Sequence, residues 1–302
     1  FLPSNSRRPK VTVALTPSGT DAEGLVTALI GGTTTRRILN ILIAPEEIGK
    51  GSSAFAELRY AGNLTPNGRR VRSGDSMDPS LTSRVSVIGV ELRHSTGRAK
   101  TVPEVDLEVE AWIAAGLKQG MYIIVHHNAS SKTGLGGPSI RACLEWRREH
   151  PEHLSIVIDA AQARFSRQRV ASVVDQGAIV LTTGSKFFQG PPFSGALLIP
   201  NEVFERCPVI KTPVHFSDVW HPWMFPEDFP LRVEAGDSSG AKGLAARWLA
   251  SLANIRRYYR QPQEMRRKVL AEFARSWQEA VTHSDFVLTD EGESFATDRT
   301  RE

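Results

Sequence analysis

The chain has 302 residues, which at about 150 residues per domain indicates about two structural units. Apolar residues make up 40% and charged residues 23% of the sequence, a composition that excludes a disordered chain, a collagen and a coiled-coil rod. The net charge of +4 and the pI of about 9.2 are mildly basic. The densest basic cluster, 256–268, is interpreted as a solvated helix face rather than a nucleic-acid site, so no nucleic-acid partner is predicted.

Hydropathy and cysteine content indicate the cellular compartment of the protein. No uninterrupted apolar run reaches the roughly 18 residues of a membrane-spanning helix, so no membrane partner is predicted. Residues 1–8 lack the apolar core of a signal peptide. Cys143 and Cys207 are too few for a disulfide framework or a four-cysteine metal site, which favours a reducing compartment. We therefore predict a cytoplasmic protein.

Strands and helices alternate along most of the chain. The predicted strands are 11–15, 38–44, 85–90, 122–125, 155–158, 178–181 and 196–199. The predicted helices are 21–30, 105–118, 139–149, 242–259 and 262–281, with a loop-rich stretch at 49–84. Continuously apolar strands are typical of burial on both faces. This pattern predicts an α/β fold with a large, doubly wound, mainly parallel sheet.

The C-terminal third changes character. The stretch 211–240 is irregular, and its aromatic part, 215–232, is open to three interpretations: core packing, a substrate lid or a dimer contact. We predict a large α/β domain over 1–240. Residues 241–302 are predicted to form a helical connection and an incomplete C-terminal small domain, which begins near 286–288.

Active sites of open α/β sheets lie at the carboxyl ends of strands, and four predicted strand ends here are polar. The first is 16–21, a small turn at a helix N-terminus. Free backbone N–H groups make such a turn an anion cradle, with phosphate as the usual ligand, and the hydroxyls of Ser18 and Thr20 add donors. The spacing of a P-loop is missing. The alternative is a plain helix cap that needs no ligand.

The other three polar ends supply a carboxylate, an amine and an amide. Asp159 ends an apolar strand, where a carboxylate is costly without a cation or a strong donor. Lys186 lies between an apolar strand and two aromatic residues, and a buried lysine is a nucleophilic amine. His126 and His127 precede Asn128, but neighbouring strand residues face opposite ways, so we predict no metal site.

Together the four strand ends match the needs of pyridoxal phosphate (PLP). The cradle suits the phosphate, a carboxylate keeps the ring nitrogen protonated, and a lysine forms a Schiff base. The residues of this set are Ser18, Gly19, Thr20, Asn128, Asp159 and Lys186.

In this order of motifs the chain resembles fold-type I PLP-dependent enzymes, closest to the class V aminotransferase and cysteine desulfurase group. The motifs are Ser18-Gly19-Thr20, Asn128, Asp159-Ala-Ala-Gln162 and Thr183-Gly-Ser-Lys186, and Lys186 follows Asp159 by 27 residues. The resemblance covers roughly 10–200 and implies a seven-stranded sheet. It also implies that Asp159 binds the ring nitrogen, that Gln162 lies near the phenolic oxygen, and that Thr183 and Ser185 reach the phosphate.

The sequence departs from the family pattern in three places. Where relatives carry an aromatic or histidine over the ring, this chain has Glu46-Glu47, so Glu47 is a candidate for the cofactor or substrate face, as is His127. Cys207 follows Lys186 by only 21 residues, which supports desulfuration poorly. The family's carboxylate-binding arginine lies in the C-terminal domain and is not identified here.

We therefore predict a PLP-dependent enzyme that acts on an amino acid or amine through a Lys186 Schiff base, with aminotransferase chemistry as the family default. A lyase or β/γ-replacement enzyme is the alternative, favoured by the Glu46-Glu47 segment. A non-catalytic scaffold is the third. The resemblance also implies a homodimer. Ser238 and Ser239, in a second small-residue turn before a helix, are candidates to reach the partner's phosphate.

Overall fold

A mixed seven-stranded sheet forms the centre of the protein. The computed structural model describes residues 11–66, 68–207, 210–211, 214–232 and 239–282. The strands of the sheet are β1 (Val11–Thr16), β2 (Ile38–Ile43), β3 (Val85–Val90), β4 (Tyr122–Asn128), β5 (Leu154–Ala160), β6 (Ile179–Thr183) and β7 (Gly195–Pro200). Their order is β1-β7-β6-β5-β4-β2-β3. Only β7 runs antiparallel to its neighbours in this sheet, so the predicted fold class is confirmed.

Helices connect and cover the strands. In the described part of the chain they are α1 (Gly19–Thr33), α2 (Ser52–Ala56), α3 (Pro79–Thr82), α4 (Val102–Lys118), α5 (Ile140–Glu149), α6 (Arg167–Asp175), α7 (Asn201–Phe204), α8 (Ser239–Arg260) and α9 (Gln263–Thr282). A short parallel pair, β8 (Ile210–Lys211) and β9 (Leu231–Arg232), lies in the irregular stretch. None of the described helices combines the length and apolar character that a transmembrane helix requires.

Each face of the sheet is buried in its own hydrophobic cluster. Side chains alternate along a strand, so Val157 packs with the cluster that includes α1 and α8, whereas Ile158 packs with α4, α5 and α6. Alternation on β4 and β6 follows the same rule. We call the first side the α1 face. Burial on both sides explains why these strands are continuously apolar in sequence.

Some helices and strands begin or end at other residues than predicted, because helix caps and polar residues determine where they stop. Helix α1 begins two residues early, because the Ser18 side chain accepts the Asp21 N–H and caps the helix at Gly19. Strand β4 runs on to Asn128. Helix α6, capped by Ser166, was not predicted, since its polar residues hide the apolar periodicity.

The aromatic stretch 215–232 packs into the core. Phe216, Trp220 and Phe229 are almost fully buried and belong to the cluster on the α1 face. Of the three interpretations, core packing describes these side chains. The predicted strand at 286–288 lies outside the described residues.

Candidate active site

A pocket of about 360 Å³ opens at the carboxyl ends of β1, β4, β5 and β6. It brings together most of the predicted site residues. Those lining it are Ser18, Gly19, Thr20, Glu47, Asn128, Asp159, Gln162, Thr183, Ser185 and Lys186. They come from five separate segments of the chain, and the parallel strands bring the segments together because their ends share one edge of the sheet.

The N-terminus of α1 forms one wall. The Ser18 hydroxyl caps the helix by accepting from the Asp21 N–H at 3.2 Å and lies 2.5 Å from the Asp21 carboxylate. A helix cannot satisfy its first N–H groups internally, so those of Gly19 and Thr20 are available at the pocket. With the positive end of the helix dipole, this wall suits an anion. The observed cap leaves the N–H groups of Gly19 and Thr20 unused, so it does not exclude the predicted anion cradle.

Close backbone contacts hold this wall in place. A Cβ on Gly195 of β7 would lie 2.5 Å from the backbone of Ser18, so only glycine lets β7 pass this close to the turn. A Cβ on Gly49 would lie 2.5 Å from the Thr20 hydroxyl oxygen. Gly19 is less crowded, with the Leu181 side chain at 3.3 Å.

Asp159 lies at the floor of the pocket. One carboxylate oxygen accepts the Ala161 N–H at 2.9 Å. Burial, followed by the negative charge of Glu23, raises the pKa of Asp159 to about 6, while the Ala161 hydrogen bond, His126 and Lys186 oppose the rise. A further cation or proton donor at this carboxylate would relieve the cost of burying its charge.

Asn128 lies beside Asp159, because the two residues are paired in the register of β4 and β5. Its side-chain oxygen accepts the Ser130 N–H at 3.1 Å. Its amide nitrogen is buried and has no hydrogen-bond partner among the described residues. A buried amide donor at a pocket wall suits an acceptor oxygen on a ligand.

Lys186 is exposed at the pocket, so the expectation that it is buried between an apolar strand and two aromatic residues is wrong. The neighbouring Phe187 and Phe188 pack against Tyr258 of α8 instead. The turn that carries Lys186 rests on α8 as well, since a Cβ on Gly184 would collide with the Ser251 side chain. Helix α8 therefore positions the lysine without covering it.

Glu47 lines the pocket, but protein groups occupy its carboxylate. One oxygen accepts from Arg93 at 3.0 Å, and the other accepts from the hydroxyls of Ser131 and Thr133. Although burial opposes it, these hydrogen bonds and the Arg93 charge lower the pKa of Glu47, so the side chain is ionised at neutral pH. Glu47 joins the 45–51 loop to the 129–137 loop.

His127 does not reach the pocket, and this corrects its assignment to the cofactor or substrate face. Alternation along β4 turns it to the opposite side of the sheet, where its ring nitrogen lies 2.6 Å from the Pro138 carbonyl and its ring is near Phe165. Burial lowers the pKa of His127 to about 4, so the ring is neutral. No described cluster of His, Cys, Asp or Glu can hold a metal ion.

The predicted contacts to a partner's phosphate cannot be placed. Ser238 lies outside the described residues, and Ser239 begins α8 without a described side chain.

Sequence reasoning missed three ionisable residues in or next to the pocket. Glu23 and Lys132 line the pocket, and His126 lies on the α1 face of β4 next to Glu23. Two signals could have revealed them: Glu23 follows the cradle by one helical turn, and Lys132 lies in the same polar run as Asn128.

No protein-family model and no curated protein sequence matches the chain. Solved structures do match its fold. Mouse CSAD superposes with a TM-score of 0.52 at 14% identity, over 91% of this chain and 53% of that one. Cysteine desulfurase CsdA from Escherichia coli superposes with a TM-score of 0.50 at 16% identity, over 90% of this chain and 58% of that one. The chain therefore spans little more than half the length of these enzymes.

Such neighbours are PLP-dependent enzymes of fold type I. This chain has the fold-type I fold. The resemblance inferred from the motifs is confirmed at the level of the fold. The identity is too low to carry any reaction or residue role from one chain to the other.

The pocket of this fold-type I chain fits PLP by the chemistry of its own groups. The wall at Gly19 and Thr20 suits a phosphate, the orphaned Asn128 amide suits a phenolic oxygen, and the Asp159 carboxylate suits a protonated ring nitrogen. Lys186 supplies an amine at the same pocket.

Proposed function

We propose that this chain binds PLP in the pocket at the strand ends and acts on an amino acid, with Lys186 as the residue that bonds covalently to the cofactor. The observation that carries the proposal is the convergence of Lys186, Asp159 and the N-terminus of α1 on one pocket. When bound there, PLP would supply an electron sink for negative charge on the substrate carbon.

The pocket residues divide into three groups by what they would hold. The phosphate would be held by the N–H groups of Gly19 and Thr20 and by hydroxyls, and the ring nitrogen by Asp159. Asn128 and Gln162 would hold the phenolic oxygen. The candidate hydroxyls at the phosphate wall are those of Ser18, Thr20, Thr183 and Ser185. Two of them already donate a hydrogen bond, Ser18 to the Asp21 carboxylate at 2.5 Å and Thr183 to the Ala161 carbonyl at 2.7 Å, so these two would serve as a fixed wall rather than as free donors.

A cation at the pocket favours an amino acid over a simple amine as the substrate. Apart from Lys186, the charged residues that line the pocket are Glu23, Glu47, Asp159 and Lys132. The Lys132 ammonium donates to the Ile48 carbonyl, and its backbone N–H donates to the Glu47 carbonyl at 3.2 Å. An ammonium carries three donors, so Lys132 retains capacity to bind a substrate carboxylate.

Transamination is the reaction we propose, because it needs little more than one amine that moves a proton between two atoms of the substrate and cofactor. With substrate bound, the Lys186 amine would be free of the cofactor and would hold that proton. Elimination or replacement at a β or γ carbon would be helped by an additional acid that protonates a poor leaving group. Glu47 is a poor candidate, since its lowered pKa keeps it ionised and three protein groups occupy it.

The test is covalent attachment of the cofactor. Purified protein is loaded with PLP, reduced with borohydride and digested, and we expect the pyridoxyl mass on the peptide that contains Lys186. Lys186→Ala should lose both the mass and the visible absorbance, whereas Lys132→Met should retain them. A label on Lys50, Lys132 or Lys242 would overturn the assignment, and a protein that takes up no PLP would point to the scaffold alternative.

The reaction is tested separately with an amino acid panel. Transamination predicts release of a keto acid and continued turnover only when a second keto acid is added. Release of CO₂, or of ammonia without an amino acceptor, would instead indicate a decarboxylase or a lyase.

A further inference from the structure

A buried acid-base pair lies beneath the pocket. The Glu23 carboxylate of α1 and ring nitrogen Nδ1 of His126 on β4 are 3.0 Å apart, and their side chains are only 2% and 3% exposed. Both ring nitrogens of His126 and the Glu23 oxygen nearest to them are buried without a hydrogen-bond partner among the described residues, so the two groups are close without hydrogen-bond geometry. The proposed function does not use either side chain, and burying such a pair is costly.

The pair faces Asp159. His126 lies two residues before Asn128 on β4, and Asn128 is paired with Asp159, so all three occupy the α1 face of the sheet. Glu23 approaches this face from α1 and lines the pocket floor. The charged groups that act on Asp159 are therefore Glu23 from α1, His126 from β4 and Lys186 from the turn after β6.

Glu23 and His126 act on Asp159 with opposite signs. The negative charge of Glu23 raises the pKa of Asp159, and His126, which is positive when protonated, lowers it. Solvent and salt screen buried charges less than surface charges, so Glu23 and His126 can both act on the Asp159 carboxylate across this face of the sheet.

We propose that Glu23 and His126 are positioning residues that set the charge of Asp159, and through it the protonation of the cofactor's ring nitrogen. The inference rests on the proposed function. Glu23 increases the affinity of the Asp159 carboxylate for a proton or a cation, and His126 decreases that affinity. A pair that only joined α1 to β4 would affect stability and leave the titration of Asp159 unchanged.

The test is the titration of Asp159 in the complete chain without cofactor. Aspartate labelled with ¹³C at the carboxyl carbon is followed by NMR, and the signal absent in Asp159→Asn identifies the residue. In Glu23→Gln the midpoint of Asp159 should fall by about one pH unit, and in His126→Gln it should rise by a similar amount. Glu23→Gln/His126→Gln, which replaces both members by neutral amides, should lie between the single variants.

His127→Gln is the matched control. His127 is the neighbouring buried histidine, but it faces the other side of β4 and its ring is neutral, so the midpoint of Asp159 should not move. Shifts of the same sign in the Glu23 and His126 variants, no shift, or an equal shift in the control would overturn the proposal. If Glu23→Gln does not fold, Glu23→Asp is the substitute, because it keeps the negative charge but moves it away from Asp159. The midpoint of the Asp159 titration should then fall by less than in Glu23→Gln. No fall at all would overturn the proposal.

A second measurement separates this inference from the proposed function. In protein loaded with ¹⁵N-labelled PLP, the ring nitrogen should lose its proton at a lower pH in Glu23→Gln and at a higher pH in His126→Gln. A protein that binds no PLP defeats the proposed function, while the Asp159 titration still decides the role of the pair. Bound PLP with a ring nitrogen that ignores both substitutions defeats the inference alone.

Discussion

The ionised form of Asp159 is unfavourable at this site, and a bound cation or proton donor would stabilise it. The Asp159 pKa of about 6 lies above the ordinary aspartate pKa of 3.8, so the folded protein binds this proton more tightly than the unfolded chain. The free energy of unfolding should therefore rise as the pH falls from about 6 to 3.8, and the buried charge costs stability at neutral pH.

Asp159→Asn tests both consequences. Without cofactor at pH 7 the variant should be more stable than the wild type by up to about 3 kcal/mol, and its unfolding free energy should depend less on pH between 4 and 6. With PLP at saturation, turnover should fall by on the order of 100-fold, because a buried electrostatic contact is lost. Denaturant unfolding and steady-state kinetics measure the two effects. A variant that is less stable and fully active contradicts the assignment.

Lys132 tests the choice of substrate. Lys132→Met should raise KM for amino acids by about 10- to 100-fold, the range expected for loss of a hydrogen bond to a charged group. KM for the corresponding amines should not change. Lys132→Arg keeps the positive charge and should recover part of the affinity. An equal effect on acids and amines would show that Lys132 only holds the 129–137 loop in place.

At the scale of elements, the cradle depends on how closely β7 approaches the turn before α1. Thr16 of β1 pairs with Gly195 of β7, and the indole N–H of Trp248 on α8 donates to the Gly195 carbonyl at 3.0 Å. Strand β7 and helix α8 therefore support the same turn from behind. The sequence of residues 16–21 does not predict this support, because β7 and α8 lie far away in the chain.

We predict that Gly195→Ala weakens PLP binding more than Gly19→Ala does, although Gly19 is the residue in the cradle motif. The new Cβ at 195 meets backbone atoms at 2.5 Å, whereas the one at 19 meets a side-chain methyl at 3.3 Å that can move. Titration of cofactor-free protein with PLP gives the affinities, and thermal unfolding separates loss of the site from loss of the fold. The reverse order of affinities would contradict this account.

At the scale of the whole molecule, the resemblance still predicts a homodimer, and the predicted division near residue 240 remains a prediction. Light scattering of the PLP-loaded protein should give twice the mass of one chain. A mass of one chain with PLP still bound would contradict the dimer. A double alanine change at Ser238 and Ser239 tests the partner's contribution, since the dimer should then bind PLP more weakly than the wild type.

The sequence by itself determined the sheet and the candidate ligand. Continuously apolar strands require burial on both faces, and this places polar residues such as Asp159 and Lys186 at the strand ends. The carboxyl ends of parallel strands meet at one edge, so motifs far apart in the chain could be assigned to one site. Local chemistry was enough for these conclusions, because each motif is contiguous.

Only the tertiary structure decided which polar side chains face the pocket and which are already occupied. Two adjacent histidines are equivalent in sequence, but strand alternation turns His126 toward Glu23 and His127 toward Phe165. Nothing in the sequence near Glu47 indicates a partner for its carboxylate, yet Arg93, which lies 46 residues further along the chain, binds it. Contacts between distant segments settle such roles, since burial and electrostatic pairing depend on distance in space rather than along the chain.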